Sequence, residues 1–190
     1  LTLEPVVRLH HGDADGIRAA GAVETAVPQL IRDTGGDPDQ DNVLFRRSPS
    51  KAPFYEIEDV TRDLDMMLKD NVRFGQKLPL ILLMDNASTE EDMPSYKMTE
   101  VYQLDVVVAD HHHPDETIDK YLLAHVNPYH VGGDFGVTAG MLGTEIARLI
   151  NPAVEGRILH FPSVAGVADR SEAPELDALL ALIHGNYRRA

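Results

Sequence analysis

The chain has no cysteine, no tryptophan and only five lysines among its 190 residues. Without cysteine there are no disulfides, no thiolate metal sites and no cysteine nucleophiles. Aromatic residues make up 6% of the chain, too few for a long platform on which bases stack. Positive charge is also scarce: 17 basic residues face 31 acidic ones, a net charge of −14. That argues against loose binding to a phosphate backbone at low salt. It leaves room for a nucleic-acid substrate held locally through metal ions, above all where salt screens the repulsion. An acid surplus with so few lysines reads as adaptation to high salt, or as an ordinary solubilising surface. Long apolar runs are missing as well. With no membrane span and no signal-peptide pattern, the expectation is a cytoplasmic protein with no membrane partner.

Hydrophobic residues, at 43%, are enough for one core, and the length suits a single domain over 1–190. The chain starts at Leu1 rather than Met, as a piece cut from a longer protein would. Strand-like and helix-like segments alternate. Strands are expected at 5–10, 42–45, 78–84, 105–109 and 125–127. Helices are expected at 15–32, 54–71, 94–103, 115–123, from about 137, and at 153–168 and 174–187, with a break at Pro162. Residues 33–41 read as a polar, turn-rich loop. This order predicts an α/β fold, a parallel sheet of about five strands with helices on both faces.

Ligands bind at the carboxyl ends of strands in such a sheet, and the chemistry-bearing residues stand there. His11-Gly12-Asp13-Ala14-Asp15-Gly16 follows the first strand. In extended backbone His11, Asp13 and Asp15 would share one face; alternatively, Asp15 caps the next helix. Asp85 ends the most apolar strand, LPLILLM, where it could bridge two ions or cap a turn with Asn86. Asp110-His111-His112 follows the apolar run Val106–Ala109. His111 suits a metal ligand, and His112 a phosphate contact or a proton carrier. His113, before Pro114, reads as a loop residue. Asp169 closes the small-residue segment Val164–Ala168, facing the site or paired with Arg170. Carboxylates and imidazoles gathered in this way need cations, and point to a metal centre of more than one ion. Gly132-Gly133 ahead of a helix could cradle a phosphate, and reads equally as a plain turn.

In this order and spacing, the HxDxDG segment, Asp85, Asp110-His111-His112 and Asp169 resemble the DHH phosphoesterase superfamily over nearly all of residues 5–170. Within it, Asn127-Pro128, Gly132-Gly133-Asp134 and the helix from Thr138 resemble RecJ-type single-strand exonucleases, particularly archaeal ones. The acidic, lysine-poor composition points to a haloarchaeal member. The resemblance implies two divalent ions, Mn²⁺ or Mg²⁺, held by Asp13, Asp15, Asp85, His111 and Asp169, with His11 an occasional further ligand. It implies hydrolysis of phosphodiesters at the end of single-stranded DNA or RNA, with Asp85 bridging the ions and His112 acting on the substrate. Two other readings remain open. One is a small substrate such as a short oligonucleotide, cyclic dinucleotide or pyrophosphate. The other is a non-catalytic module serving replication or repair proteins. DHH enzymes usually carry a C-terminal substrate-gripping domain, for which Ala190 comes too early.

Overall fold

A computed structural model describes residues 5–35 and 45–187. Five strands form one sheet: β1 (Val6–His10), β2 (Phe45–Pro49), β3 (Leu80–Met84), β4 (Val106–Ala109) and β5 (Ala124–Val126). Their order is β2-β1-β3-β4-β5, and all four pairings are parallel. The helices are α1 (Ala14–Asp33), α2 (Ile57–Phe74), α3 (Met93–Val101), α4 (Ala139–Ile150), α5 (Glu155–Ile158), α6 (Phe161–Ala168) and α7 (Pro174–Tyr187).

The core lies on both sides of the sheet. Val7, Ile81, Leu83, Val106 and Val108 face Tyr55, Val60, Leu64 and Met67 on the α2 side, with Tyr96 of α3. Leu82, Met84 and Ala109 face Ala19, Ala20 and Val23 of α1 and Ala139 of α4. Small residues let α1 and α4 approach closely: a Cβ on Gly143 would stand 2.6 Å from the Ala19 carbonyl oxygen. The parallel α/β sheet with helices on both faces is therefore as the periodicity predicted. No described helix is long and apolar enough to cross a membrane.

Several elements differ from expectation. The second described strand is Phe45–Pro49, FRRSP; of the strand expected at 42–45 only Phe45 is among the described residues, and most of the expected 33–41 loop lies outside them. β2 is an edge strand, so it needs little apolar surface and tolerates a terminal proline. Its arginines pair outward, Arg46 with Asp70 at 2.6 Å and Arg47 with Glu24. The expected helix at 115–123 is a 3₁₀ segment, Glu116–Tyr121. Over 153–168 the helix breaks before Pro162, which sits in the first turn of α6, where a proline costs nothing.

Strand register decides what the sheet edge presents. His10 of β1 pairs with Met84 of β3, and Met84 with Ala109 of β4. Beyond the strands the ladder continues for one more step: His11 N–H donates to Met84 O, Asp85 N–H to Ala109 O, and Asp110 N–H to Val126 O. The segments beginning at His11, Asp85 and Asp110 thus leave the same edge side by side.

Candidate metal centre

Four segments converge at this edge. Nε2 of His111 lies 3.2 Å from Asp169 Oδ2, 3.4 Å from Asp85 Oδ1 and 3.5 Å from Asp15 Oδ2. Nδ1 of His11 lies 3.0 Å from Asp13 Oδ2 and 3.7 Å from Asp85 Oδ2. Asp85 therefore faces one half of the cluster with each carboxylate oxygen. Its Oδ2 is buried and has no hydrogen-bond partner, a loss of roughly 1–3 kcal/mol or more for a charged group.

Local backbone places Asp85. Its φ is 60° and that of Ala87 is 78°, left-handed values that cost a non-glycine residue about 1–3 kcal/mol and cluster at functional sites. The Tyr96 hydroxyl donates to the Ala87 carbonyl and pins this turn. Gly16 completes the fit. A Cβ there would meet His11 O at 2.5 Å and Asp85 Oδ2 at 2.9 Å, so only glycine lets α1 start this close.

Asp13 and Asp15 reach the cluster by different routes, not by the shared parity of an extended segment. α1 begins at Ala14, so the strand period has already ended. Asp13 is the N-cap, accepting from Gly16 N–H at 2.9 Å. Asp15 lies in the first turn, fully buried. It caps a different helix: its carboxylate accepts from the N–H groups of Ala139 and Gly140, at 2.8 and 2.7 Å, at the start of α4. Burial and the neighbouring Asp85 push the Asp15 pKa up to about 7. Burial pulls His111 down, but hydrogen bonding to Asp169 and Asp85 outweighs it and raises its pKa to about 11. Asp85 and then Asp13 raise His11 against the pull of burial. Asp15 resisting ionisation, with two imidazoles drawn towards protonation, marks a cluster deficient in positive charge. Four carboxylates and two imidazoles, with a shared carboxylate between the halves, fit divalent cations in donor type and in number. Two ligand groups, His11-Asp13-Asp85 and Asp15-His111-Asp169, each keep their donor atoms within 4.8 Å of one another.

The surrounding contacts orient these donors. His111 Nδ1 donates to the Phe135 carbonyl at 2.7 Å, which leaves Nε2 free to face the carboxylates, the usual support of a ligand histidine. Sequence reasoning missed Phe135 because a backbone carbonyl carries no residue signature. Buried Asp110 lies behind the site. Its Oδ1 accepts from His111 N–H at 2.8 Å and from His112 Nδ1 at 2.8 Å. The Asn127 amide holds the same loop through His112 O at 2.9 Å. His112 is half exposed, with a ring nitrogen within 4.8 Å of the Asp85 and His111 donor atoms. Its pKa is raised by Asp110. His113 packs against Tyr129 with the rings tilted and their centroids 4.9 Å apart, as a loop residue would.

Gly132 and Gly133 form a turn. Gly132 has φ 80° and ends the 3₁₀ segment Pro128–Val131. Its N–H donates to Tyr129 O, and that of Gly133 to Pro128 O at 2.9 Å. Both amides are spent within the turn, and the Ala139 and Gly140 amides of α4 are spent on Asp15, so these four donors do not form the expected phosphate cradle.

No protein-family model matches the chain. A Methanocaldococcus jannaschii protein described only as uncharacterized protein MJ1198 is 49% identical over 179 residues, 91% of this chain and 24% of that protein. A solved structure described as the DHH domain of PF0399, a member of the s1p family of ribosomal proteins, superposes with a TM-score of 0.93 at 46% identity, covering 96% of this chain and 44% of that one. RecJ from Thermus thermophilus in complex with Mn²⁺ gives 0.56 at 14% identity, over 88% of this chain and 22% of that one. Exonuclease RecJ bound to manganese gives 0.55 at 18%, over 93% and 42%. The RecJ likeness is one of fold. The chain spans about a quarter of MJ1198 and less than half of the solved PF0399 chain. With the fold of a solved DHH domain, 46% identity to it and the Asp110-His111-His112 motif at the site, this chain belongs to the DHH domain family.

Proposed function

We propose that this domain hydrolyses phosphodiester bonds with two divalent cations, Mn²⁺ or Mg²⁺, and acts on the end of a single nucleic-acid strand or on a short oligonucleotide. The carrying observation is Asp85, which turns one carboxylate oxygen to His111 and the other to His11. A carboxylate so placed would hold both ions, with Asp13 and His11 as further ligands on one side and Asp15, His111 and Asp169 on the other. The two RecJ structures of the same fold, described with manganese, support the choice of ion. When bound, such ions supply a water deprotonated near neutral pH and neutralise charge on the phosphoryl oxygens.

The chain's own residues do the rest. Asp110 fixes the His112 ring through Nδ1 and favours its protonated form, so the other ring nitrogen can serve the substrate. As water adds to phosphorus and the P–O bond to the leaving nucleoside breaks, that oxygen takes the His112 proton. Beside α1, a cleft of about 350 Å³ is lined by His10, Arg18, Arg47 and Phe161 among others. The Arg18 guanidinium lies 5.0 Å from the Phe161 ring centroid, and this pair offers a base a stacking surface.

The description of the PF0399 protein as one of the s1p family of ribosomal proteins favours RNA over DNA. The test uses matched RNA and DNA oligonucleotides of two to twenty residues with Mn²⁺, each with Asp85→Asn as control. Cleavage of short strands, lost in the variant, is the expected result. No cleavage of any phosphodiester by the natural sequence would shift the reading to a non-catalytic module.

A further inference from the structure

Three side chains outside the strand-end cluster have no role in it. Asp119 lies in the 3₁₀ segment Glu116–Tyr121, His125 in β5 and His130 in the 3₁₀ segment Pro128–Val131. Their donor atoms lie within 4.8 Å of one another. Asp119 Oδ1 is 2.7 Å from His125 Nδ1, and the rings of His125 and His130 meet edge to face with centroids 4.6 Å apart. The His125 side chain is 5% exposed and that of Asp119 is 43% exposed, so the group opens to solvent on one side.

The other ring nitrogen of His125 has a supporting contact: Nε2 lies 3.0 Å from the hydroxyl of buried Ser88, which leaves Nδ1 facing Asp119 Oδ1 at 2.7 Å. A ligand histidine that donates its other N–H to an oxygen is the usual arrangement around a bound metal.

We propose that Asp119, His125 and His130 form a second metal site, independent of the strand-end cluster, for a borderline divalent ion such as Zn²⁺. Two imidazoles and one carboxylate suit Zn²⁺, with a fourth position left to water. The strand-end cluster, with four carboxylates, suits harder ions.

The experiment counts ions. Metal-free protein is equilibrated with Zn²⁺, and separately with Co²⁺, and metal per chain is measured by mass spectrometry. His130→Ala and Asp119→Asn change exposed groups, so both variants should fold, which circular dichroism checks. Each is expected to hold one Zn²⁺ per chain fewer than the natural sequence. Asp85→Asn is expected to keep that ion, and its Co²⁺ form to show visible bands of a four-coordinate site that vanish when His130→Ala is added. Equal zinc in the natural sequence and in both surface variants would overturn the site, leaving a proton between Asp119 and His125. So would an Asp85→Asn protein that takes up Co²⁺ with no band sensitive to His130→Ala.

Discussion

At the carboxyl end of β2, Ser50 donates to Asp59 Oδ2 at 2.7 Å and Ser48 to Asp63 Oδ1 at 2.9 Å. Arg62 reaches Asp59 Oδ1 at 2.8 Å and Ser48 Oγ at 2.7 Å. One edge position further on, at the ends of β1, β3 and β4, buried carboxylates meet two imidazoles and one another. Both groups are buried, both are acidic, and both contain a carboxylate oxygen with no hydrogen-bond partner, Asp63 Oδ2 in the first and Asp85 Oδ2 in the second. The difference lies in how the charge is answered. Around Asp59 and Asp63 the chain supplies hydroxyls and a guanidinium, and Asp63 can take a proton, its pKa raised to about 6 by burial. Around Asp85 the neighbours are themselves metal-ligand types, and no arginine or lysine is among the contacts described. A buried acid is thus a poor sign of a site on its own; donors with unspent lone pairs aimed at one point are the better sign.

The sharpest way to break this comparison is to neutralise one acid in each group. Asp85→Asn should abolish phosphodiester cleavage, a loss beyond the roughly 10–100-fold typical of removing a supporting contact around a metal. His11→Ala should lose less, about tenfold, because His11 touches only one half of the cluster. Asp63→Asn should leave kcat/KM unchanged. Rates on one short oligonucleotide at saturating Mn²⁺ decide the matter, and similar losses for Asp85 and Asp63 would mean the two groups were wrongly separated.

Metal addition sharpens the contrast without an activity assay. At a Mn²⁺ concentration 100 times its Kd, binding stabilises the fold by about 2.7 kcal/mol, roughly 5–10 °C in melting temperature for a domain of this size. The natural sequence and Asp63→Asn should both show this rise and lose it on chelation. Asp85→Asn should not. A rise in all three would place Mn²⁺ elsewhere.

Much of this was legible in the sequence, for definite reasons. Val106–Ala109 and Leu78–Met84 are apolar throughout because β4 and β3 are central strands covered on both faces, and each run ends at a motif residue. Residues 46–49 of β2 were not legible as strand, because an edge strand made of FRRSP carries no such signal. The Asp13-Asp15 pair was found, but its geometry was not: Asp15 spends its carboxylate on amides 124 and 125 residues away, and no local pattern announces that. The Gly132-Gly133 pair reads equally as a phosphate cradle and as a plain turn, because a glycine's amide is visible in sequence and its hydrogen-bond partner is not. Asp119 and His130 drew no notice because chain folding, not spacing, brings them to His125.

The Asp63 group gives a pH prediction of its own. The folded-state pKa, about 6, lies above the ordinary aspartate value of 3.8. A group raised on folding contributes fully below its unfolded pKa, and that contribution is lost as pH rises through the folded value. At pH 7.5 the charged, buried Asp63 therefore costs up to roughly 3 kcal/mol. Asp63→Asn removes the charge and keeps the shape. Its melting temperature should exceed that of the natural sequence by a few degrees at pH 7.5, with the gain shrinking towards zero near pH 4. A gain independent of pH would assign the effect to packing.

The smallest expected effect concerns salt, and it separates the buried groups from the surface. With 31 acidic and 17 basic residues, the folded chain repels itself more than the expanded one does, and added salt screens that repulsion. Exposed pairs such as Lys69–Asp65, at 2.7 Å, weaken in the same salt, but each contributes at most about 1 kcal/mol. Net repulsion from a charge of −14 should therefore dominate, and the melting temperature should rise by a few degrees between 0.1 M and 2 M KCl. Chloride is chosen because sulfate would add its own exclusion effect. The Asp59–Asp63 contacts are buried and poorly screened, so Asp63→Asn should shift the melting temperature by the same amount at both salt concentrations. A melting temperature that does not move with KCl would remove salt adaptation as the meaning of the acid surplus. A salt-dependent Asp63→Asn effect would show that this group is open to solvent ions, and the contrast with the strand-end cluster would then rest on ligand chemistry alone.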